Sequence, residues 1–488
     1  MPSIPTIIFA IYQVIVILAI IHVVMDNRQP VKTMAWALVI YFVPIVGIVL
    51  YLLFGVNTRR ERMVSRRSMD QLTKRSMLSF VEQHDLQLPE VHKPVIDLFV
   101  NESFSLPFNN NKVEILTSGY DFFLRLLRDI ASAKSHIHID VYIFEDDALG
   151  RLVSDALIAK AQQGIEVRLI FDDVGCWSVK NRFFEHMREA GIEVAPFLPV
   201  RFPSFTSKVN YRNHRKLFIV DGRVGYIGGM NIALRYVKGT GQQPWRDTMV
   251  RLEGGGVYSL QRTFLIDWYF VDGTQLSDRK YYPPVPFTPD KKDGRQLAKE
   301  PAPIPSPIIQ TVTSNPTSPY PEIQQGFVRL ILSARSYIFI QTPYFLPTEP
   351  VLFALKTAAS SGVDVRITVP RRSDARFVEW AGRSYLREAT EAGITVSLYD
   401  SGFMHSKVMV SDDSVCTCGS TNIDFRSFEN NFEANTFIYS TEIARQMKAI
   451  YLNDEQNTTA LTSLPQRMNP RFMVKLWESL VRLLSPLM

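Results

Sequence analysis

Asn213-His214-Arg215-Lys216-Leu217-Phe218-Ile219-Val220-Asp221, running on to Gly228-Gly229-Met230-Asn231, is answered in the second half of the chain by Met404-His405-Ser406-Lys407-Val408-Met409-Val410-Ser411-Asp412, running on to Gly419-Ser420-Thr421-Asn422. Both stretches obey H-x-K-x4-D-x6-G-[GS]-x-N, and two copies with every anchor in step mark a duplicated functional element. Residues two apart on a strand share a face, so each His projects with its Lys while Arg215 or Ser406 turns away. The apolar, β-branched runs after each Lys, with Asp221-Gly222 and Asp412-Asp413 as turns, predict two β-hairpins carrying His and Lys near their start. Imidazole, ammonium and amide donors gathered in this way suit a phosphodiester, whose charge grows in the transition state. A metal centre is disfavoured, since ammonium lysines are poor ligands and neither copy has a Cys or His pair at zinc-like spacing.

The repeat extends beyond the motif. Lys112–Gly119 is matched by Ile308–Asn315, Ala133–Asp140 by Ala334–Gln341, Gln163–Arg168 by Ser361–Arg366, and Glu189–Val194 by Glu391–Val396. Helical stretches lie between these strands, which predicts an α/β sheet in each half. Between the halves, Ser277 to Pro307 is dense in Pro and polar residues and reads as a linker. An extra stretch in the first half, Arg201 to Lys208, mixes aromatic and basic residues and is expected to be a loop over the site mouth.

The N-terminus carries two apolar runs, Pro5 to Met25 and Met34 to Phe54, each near the roughly 20 residues that cross a bilayer. They predict a helical hairpin in the membrane. Arg59, Arg60, Arg62, Arg66, Arg67, Lys74 and Arg75 follow the second run, so the positive-inside bias places the rest of the chain in the cytoplasm. With 54 Lys and Arg against 48 Asp and Glu, the chain favours anionic partners. Cys176, Cys416 and Cys418 form no disulfide framework. The terminal stretch from Phe472 to Leu484 predicts an amphipathic helix that packs on the body or lies on a bilayer.

The twin motifs resemble those of the phospholipase D superfamily. Ala35-Trp36-Ala37-Leu38 through Gly55, and Ser479 through Leu487, extend the resemblance to bacterial cardiolipin synthases. It implies two similar phospholipase D-like lobes, each a mixed β-sheet flanked by helices, after a two-helix transmembrane hairpin. The expected divisions are 1–56 for the hairpin, 57–110 for a basic juxtamembrane segment, 111–276 and 308–488 for the lobes, and 277–307 for the linker. The implied catalytic set is His214, Lys216, Asp221, His405, Lys407 and Asp412, with the two aspartates fixing hairpins. Asn231, Asn422 and Ser420 would bind phosphate, while Asp247 and Glu433 would orient the histidines. Gly229 departs from the usual Ser at its position.

The implied reaction joins two phosphatidylglycerols into cardiolipin and glycerol through a phosphohistidine, with His214 as nucleophile, His405 as acid and base, and no cofactor. The expected setting is the bacterial inner membrane, crossed more than once, with phosphatidylglycerol, cardiolipin and an anionic lipid surface as partners, no nucleic acid, and room for a homo-oligomer. Motif chemistry alone leaves open a membrane-anchored phospholipase D releasing phosphatidic acid. A nuclease has no need of two spans, and a scaffold has no need of two intact motifs.

Overall fold

The computed structural model describes residues 4–26, 30–55, 88–200, 210–241, 243–284 and 306–487. The basic run at 59–75, the expected loop at 201–208 and most of the Pro-rich linker lie outside the described residues.

The first lobe is built on β1 (Lys112–Leu116), β2 (His136–Val141), β3 (Glu166–Asp172), β4 (Glu193–Phe197), β5 (Arg212–Asn213), β6 (Lys216–Val220), β7 (Val224–Gly228) and β8 (Met249–Glu253). Its sheet runs β1-β8-β7-β6-β2-β3-β4. The second lobe contains β9 (Ile308–Ser314), β10 (Tyr337–Gln341), β11 (Phe345–Leu346), β12 (Asp364–Pro370), β13 (Thr395–Tyr399), β14 (Val408–Ser411), β15 (Val415–Gly419), β16 (Ile423–Asp424), β17 (Asn431–Tyr439) and β18 (Thr458–Ala460). Its main sheet follows β13-β12-β10-β14-β15-β17, with β9 paired to β17 and β18 added outside β13. Strand for strand this is the first order repeated, with β2-β3-β4 and β10-β12-β13 parallel and the remaining pairs of each path antiparallel. The molecule is therefore a duplicated mixed α/β body.

Both motif hairpins turn through left-handed backbone at two successive residues, Asp221 and Gly222 in one and Asp412 and Asp413 in the other. This geometry matches the twist of the flanking strands, and Asp tolerates it better than most residues. The aspartates have a further task. Asp221 accepts hydrogen bonds from the backbone N–H groups of Lys134, Ser135 and His136 at 2.7–3.0 Å. Asp412 does the same for Arg335, Ser336 and Tyr337 at 2.7–2.9 Å. Each carboxylate thus ties its hairpin turn to the start of the neighbouring central strand.

At the N-terminus, Ile4–Met25 is, among the described residues, the one helix long and apolar enough to cross a membrane. The second apolar run, expected as one span, is divided. Pro44 opens a new helix after Val43, giving Pro30–Phe42, Pro44–Leu50 and a short π-helical turn, Tyr51–Gly55, because proline can neither donate its missing N–H nor avoid the preceding turn. Val16, Val23, Trp36, Ile40 and Tyr51 pack these pieces together. The described end of the expected juxtamembrane segment is a helix, Lys93–Ser103, whose Val95, Ile96 and Phe99 enter the core of the second lobe. The linker likewise begins as a docked turn: Tyr281 is buried and its hydroxyl donates to Glu166 at 2.6 Å.

Asp412→Ala removes the acceptor for three N–H groups and leaves a residue that tolerates left-handed backbone less well than aspartate, for an expected cost of about 2–4 kcal/mol in unfolding free energy. Asp412→Gly relieves only the backbone and is expected to recover about 1 kcal/mol of that. Denaturant unfolding of the purified protein measures both; equal stability of all three proteins contradicts the bracing role.

Candidate active site

The lobes meet where the two motifs begin, and they meet twice in the same way. β5 pairs in parallel with the start of β17, setting Asn213 against Phe432. A matching bridge joins Met404 to Arg246. His214 then donates its backbone N–H to the Phe432 carbonyl at 2.9 Å, and His405 donates to the Arg246 carbonyl at 2.7 Å.

These crossings deliver each imidazole to a carboxylate of the opposite lobe. His214 Nδ1 lies 3.0 Å from Glu433 Oε1, and His405 Nδ1 lies 2.6 Å from Asp247 Oδ2. Both carboxylates are fully buried. With Nδ1 held as donor, Nε2 of each ring is left to attack or to exchange a proton. Lys216 and Lys407 each donate Nζ to the carbonyl of their own motif histidine. Lys407 Nζ also lies 2.9 Å from His405 Nδ1, and Lys216 Nζ sits 5.2 Å over the Tyr142 ring.

Burial dominates the electrostatics. It pushes His214 down to about 4, against the pull of Glu433, and His405 down to about 3, with Lys407 assisting and Asp247 opposing. Burial also brings Lys216 down to about 7 and Lys407 to about 8. Glu433 is held below the ordinary carboxylate range: burial works to raise it, but the facing His214 and Lys216 prevail. Each lysine's charge lowers the other motif's histidine, which places all four groups in one electrostatic neighbourhood. A cluster that sheds protons when empty is poised to take them up with an anion.

Several expected site residues have other occupations. Asp221 and Asp412 are committed to the backbone groups described above. Asn231 is engaged within its own lobe: its Oδ1 accepts from the Ile143 N–H at 3.1 Å and one Nδ2 N–H donates to the Tyr236 hydroxyl at 2.9 Å. Ser420 donates Oγ to Glu433 and so braces the carboxylate that faces His214. Its counterpart explains the departure at Gly229, where an added β-carbon would sit 2.2 Å from Asp247 Oδ1. The shorter carboxylate occupies the room that a serine would need.

Asn422 does border open space. An open cleft beside His214 is lined by Tyr142, Arg212, Tyr344, Asn422, Arg426 and Asn431, among others. The side-chain carbonyl oxygens of Asn422 and Asn431 are buried without a hydrogen-bond partner. His405 is enclosed differently, by the rings of Trp245, Phe403 and Tyr236 at 5.3–5.9 Å. Among the described residues, no group of three or more His, Cys, Asp and Glu side chains is arranged to hold a metal ion.

The motif spacing did not reveal the braces behind the site. Arg215 turns away from the histidines and spans the lobes: Nε donates to the Glu433 carbonyl at 3.1 Å, Nη2 to the Ser314 carbonyl at 3.3 Å, and Nη1 pairs with the buried Asp267. Arg246 pairs with Asp454 of the second lobe at 2.7 Å. An Arg beside a motif residue is a signal too common in sequences to single these out.

Glu433→Gln and Asp247→Asn keep the shape but remove the charge that fixes each ring, and each is expected to lower kcat by about 10²–10⁴-fold. Both histidines are neutral in the empty site, so binding an anion near neutral pH is expected to take up protons and to weaken as pH rises. Titration calorimetry with inorganic phosphate in buffers of different ionisation enthalpy reads that uptake; heats independent of the buffer contradict it.

The chain matches the family model described as "Cardiolipin synthase, PLD-like domain" over residues 126–245 and 327–454, and that of the phospholipase D-nuclease N-terminal segment over 14–55. It is 36% identical over 501 residues to the major cardiolipin synthase of Bacillus subtilis, covering 100% of both chains. It is also 36% identical over 484 residues to a cardiolipin synthase of Oceanobacillus iheyensis, covering 96% of each. The phosphatidylserine synthase of Haemophilus influenzae shares the fold, with a TM-score of 0.60 at 16% identity over 81% of this chain and 100% of that one. Full-length identity at this level, together with the twin motifs, makes the chain a member of the cardiolipin synthase family within the phospholipase D superfamily.

Proposed function

We propose that the protein joins two phosphatidylglycerols into cardiolipin and glycerol. The observation that carries the reading is the pair of imidazoles, each tied through Nδ1 to a buried carboxylate of the opposite lobe. His214 Nε2 attacks the phosphorus of the first lipid, and a P–N bond forms as the bond to the headgroup glycerol breaks. His405 Nε2 gives its proton to the departing oxygen. A hydroxyl of the second phosphatidylglycerol then loses its proton to His405 and attacks phosphorus, which cleaves the P–N bond and restores His214. His214 is assigned as nucleophile because it borders the cleft, whereas aromatic rings wall in His405.

The charge of the diester draws protons back onto the two lysines and onto His405. Lys216 and Lys407 hold the non-bridging oxygens. The unpartnered carbonyl oxygens of Asn422 and Asn431 can accept from hydroxyls, which a glycerol headgroup supplies. Ile4–Met25 and the packed helices after it form the membrane hairpin, with the lobes on the cytoplasmic face. Phosphatidylglycerol, cardiolipin and the surrounding anionic lipid are the partners of that arrangement.

Purified protein with phosphatidylglycerol vesicles and a chelator is expected to yield cardiolipin and glycerol in equal amounts. Phosphatidic acid as the main product makes the protein a hydrolase instead. With labelled lipid, His405→Ala is expected to retain a phosphoryl label on His214, while His214→Ala retains none; the reverse pattern exchanges the two roles.

A further inference from the structure

The C-terminal helix Phe472–Leu483 is packed inside out. Its charged side faces the protein: Glu478, 2% exposed, pairs with Arg387 at 2.7 Å, and Arg482 pairs with Glu388 at 2.5 Å while stacking over the Tyr385 ring. Val481 is the one apolar residue of the helix that is fully covered. The opposite side carries Phe472, Met473, Leu476, Trp477, Leu480 and Leu483, exposed by 42–75%. At 100° per residue these six fall on one continuous arc, away from Glu478 and Arg482. A soluble surface rarely leaves so much contiguous apolar area open.

Three observations say what covers it. Trp380 on the neighbouring helix Arg376–Glu391 stacks edge-on to Trp477 at 5.7 Å, and Phe377 beside it is 57% exposed, so the patch continues onto a second element. Just past the helix, the turn Ser485–Leu487 packs against both Phe425–Glu429 and the apolar N-terminal helix Pro30–Phe42. Lys32 of that N-terminal helix forms an ion pair with Glu429. The exposed face is thus continuous with the segment read above as membrane-anchored. Lys475, exposed at the polar edge of the arc, adds positive charge suited to anionic headgroups.

We infer that this face lies in the bilayer interface as a second, monotopic contact that sets the cleft mouth on the lipid surface. Ser485, two residues past the helix, lines the same cleft as His214. A lipid can then slide its headgroup to His214 while its chains stay in the membrane, avoiding the cost of pulling them into water. The inference rests on the N-terminal anchoring proposed above.

The test uses full-length protein in phosphatidylglycerol vesicles. Cys176, Cys416 and Cys418 are buried, so L480C and, as a control in the first lobe, L152C take an environment-sensitive fluorophore selectively. Brominated acyl chains are expected to quench the label at 480 at least about threefold more than that at 152. The double variant L476E/L480E is expected to lose about tenfold or more in rate on bilayer lipid yet stay within about twofold on short-chain monomeric phosphatidylglycerol, which also reports its fold. Equal quenching at both positions in vesicle-bound protein overturns the inference and leaves the anchoring intact. Unchanged bilayer turnover by the double variant overturns it too. Failure of the unlabelled protein to remain with vesicles removes the anchoring and this inference with it.

Discussion

Each histidine of this enzyme needs a carboxylate that its own lobe does not supply. A buried imidazole must have its Nδ1 proton accepted somewhere, or it loses both tautomer and orientation. Here the acceptors are Glu433 for His214 and Asp247 for His405, exchanged across the interface. The lobes must therefore be held in register to within a hydrogen bond. Paired backbone bridges fix the separation, and Arg215 and Arg246 carry buried ion pairs across or beside the seam. Losing one partner of such a pair strands a charge, so these arginines guard register more than they add net stability.

The two half-sites are alike in plan and different in filling. On one side the longer Glu433 receives the hydroxyl of Ser420; on the other the shorter Asp247 fills the space above Gly229. One imidazole borders a cleft, while the other is enclosed by aromatic rings. Near-symmetry of the motifs supplies two histidines of the same chemistry. Departures from it give the two histidines different surroundings, which is the basis of the roles proposed for them.

Much of this was legible in the sequence because the motif obeys a strand's period. His214 and Lys216 share a face, Arg215 does not, and the turn chemistry of Asp221-Gly222 fixes where the hairpin folds back. The matched segments outside the motifs foretold a similar α/β sheet in each half. What was not legible depends on contacts between residues far apart in the chain. The engagement of Asn231 with Ile143 and Tyr236, and of Ser420 with Glu433, follows from side-chain packing that spacing does not encode. The division of the second apolar run at Pro44 lay in plain view but was outweighed by hydropathy, which counts apolar residues and ignores backbone donors. The role of Lys93–Ser103 in the second lobe's core was hidden because its partners come more than two hundred residues later.

The crosswise exchange also bears on how the enzyme is made. His214 waits for a carboxylate 219 positions further along, and His405 relies on one laid down 158 positions before it. A nascent chain that has released only its first half from the ribosome therefore holds a histidine without its base partner and no proton donor opposite. Competence arrives in a single late event, when the second half folds against the first. A product truncated before Glu433 lacks the carboxylate that faces His214.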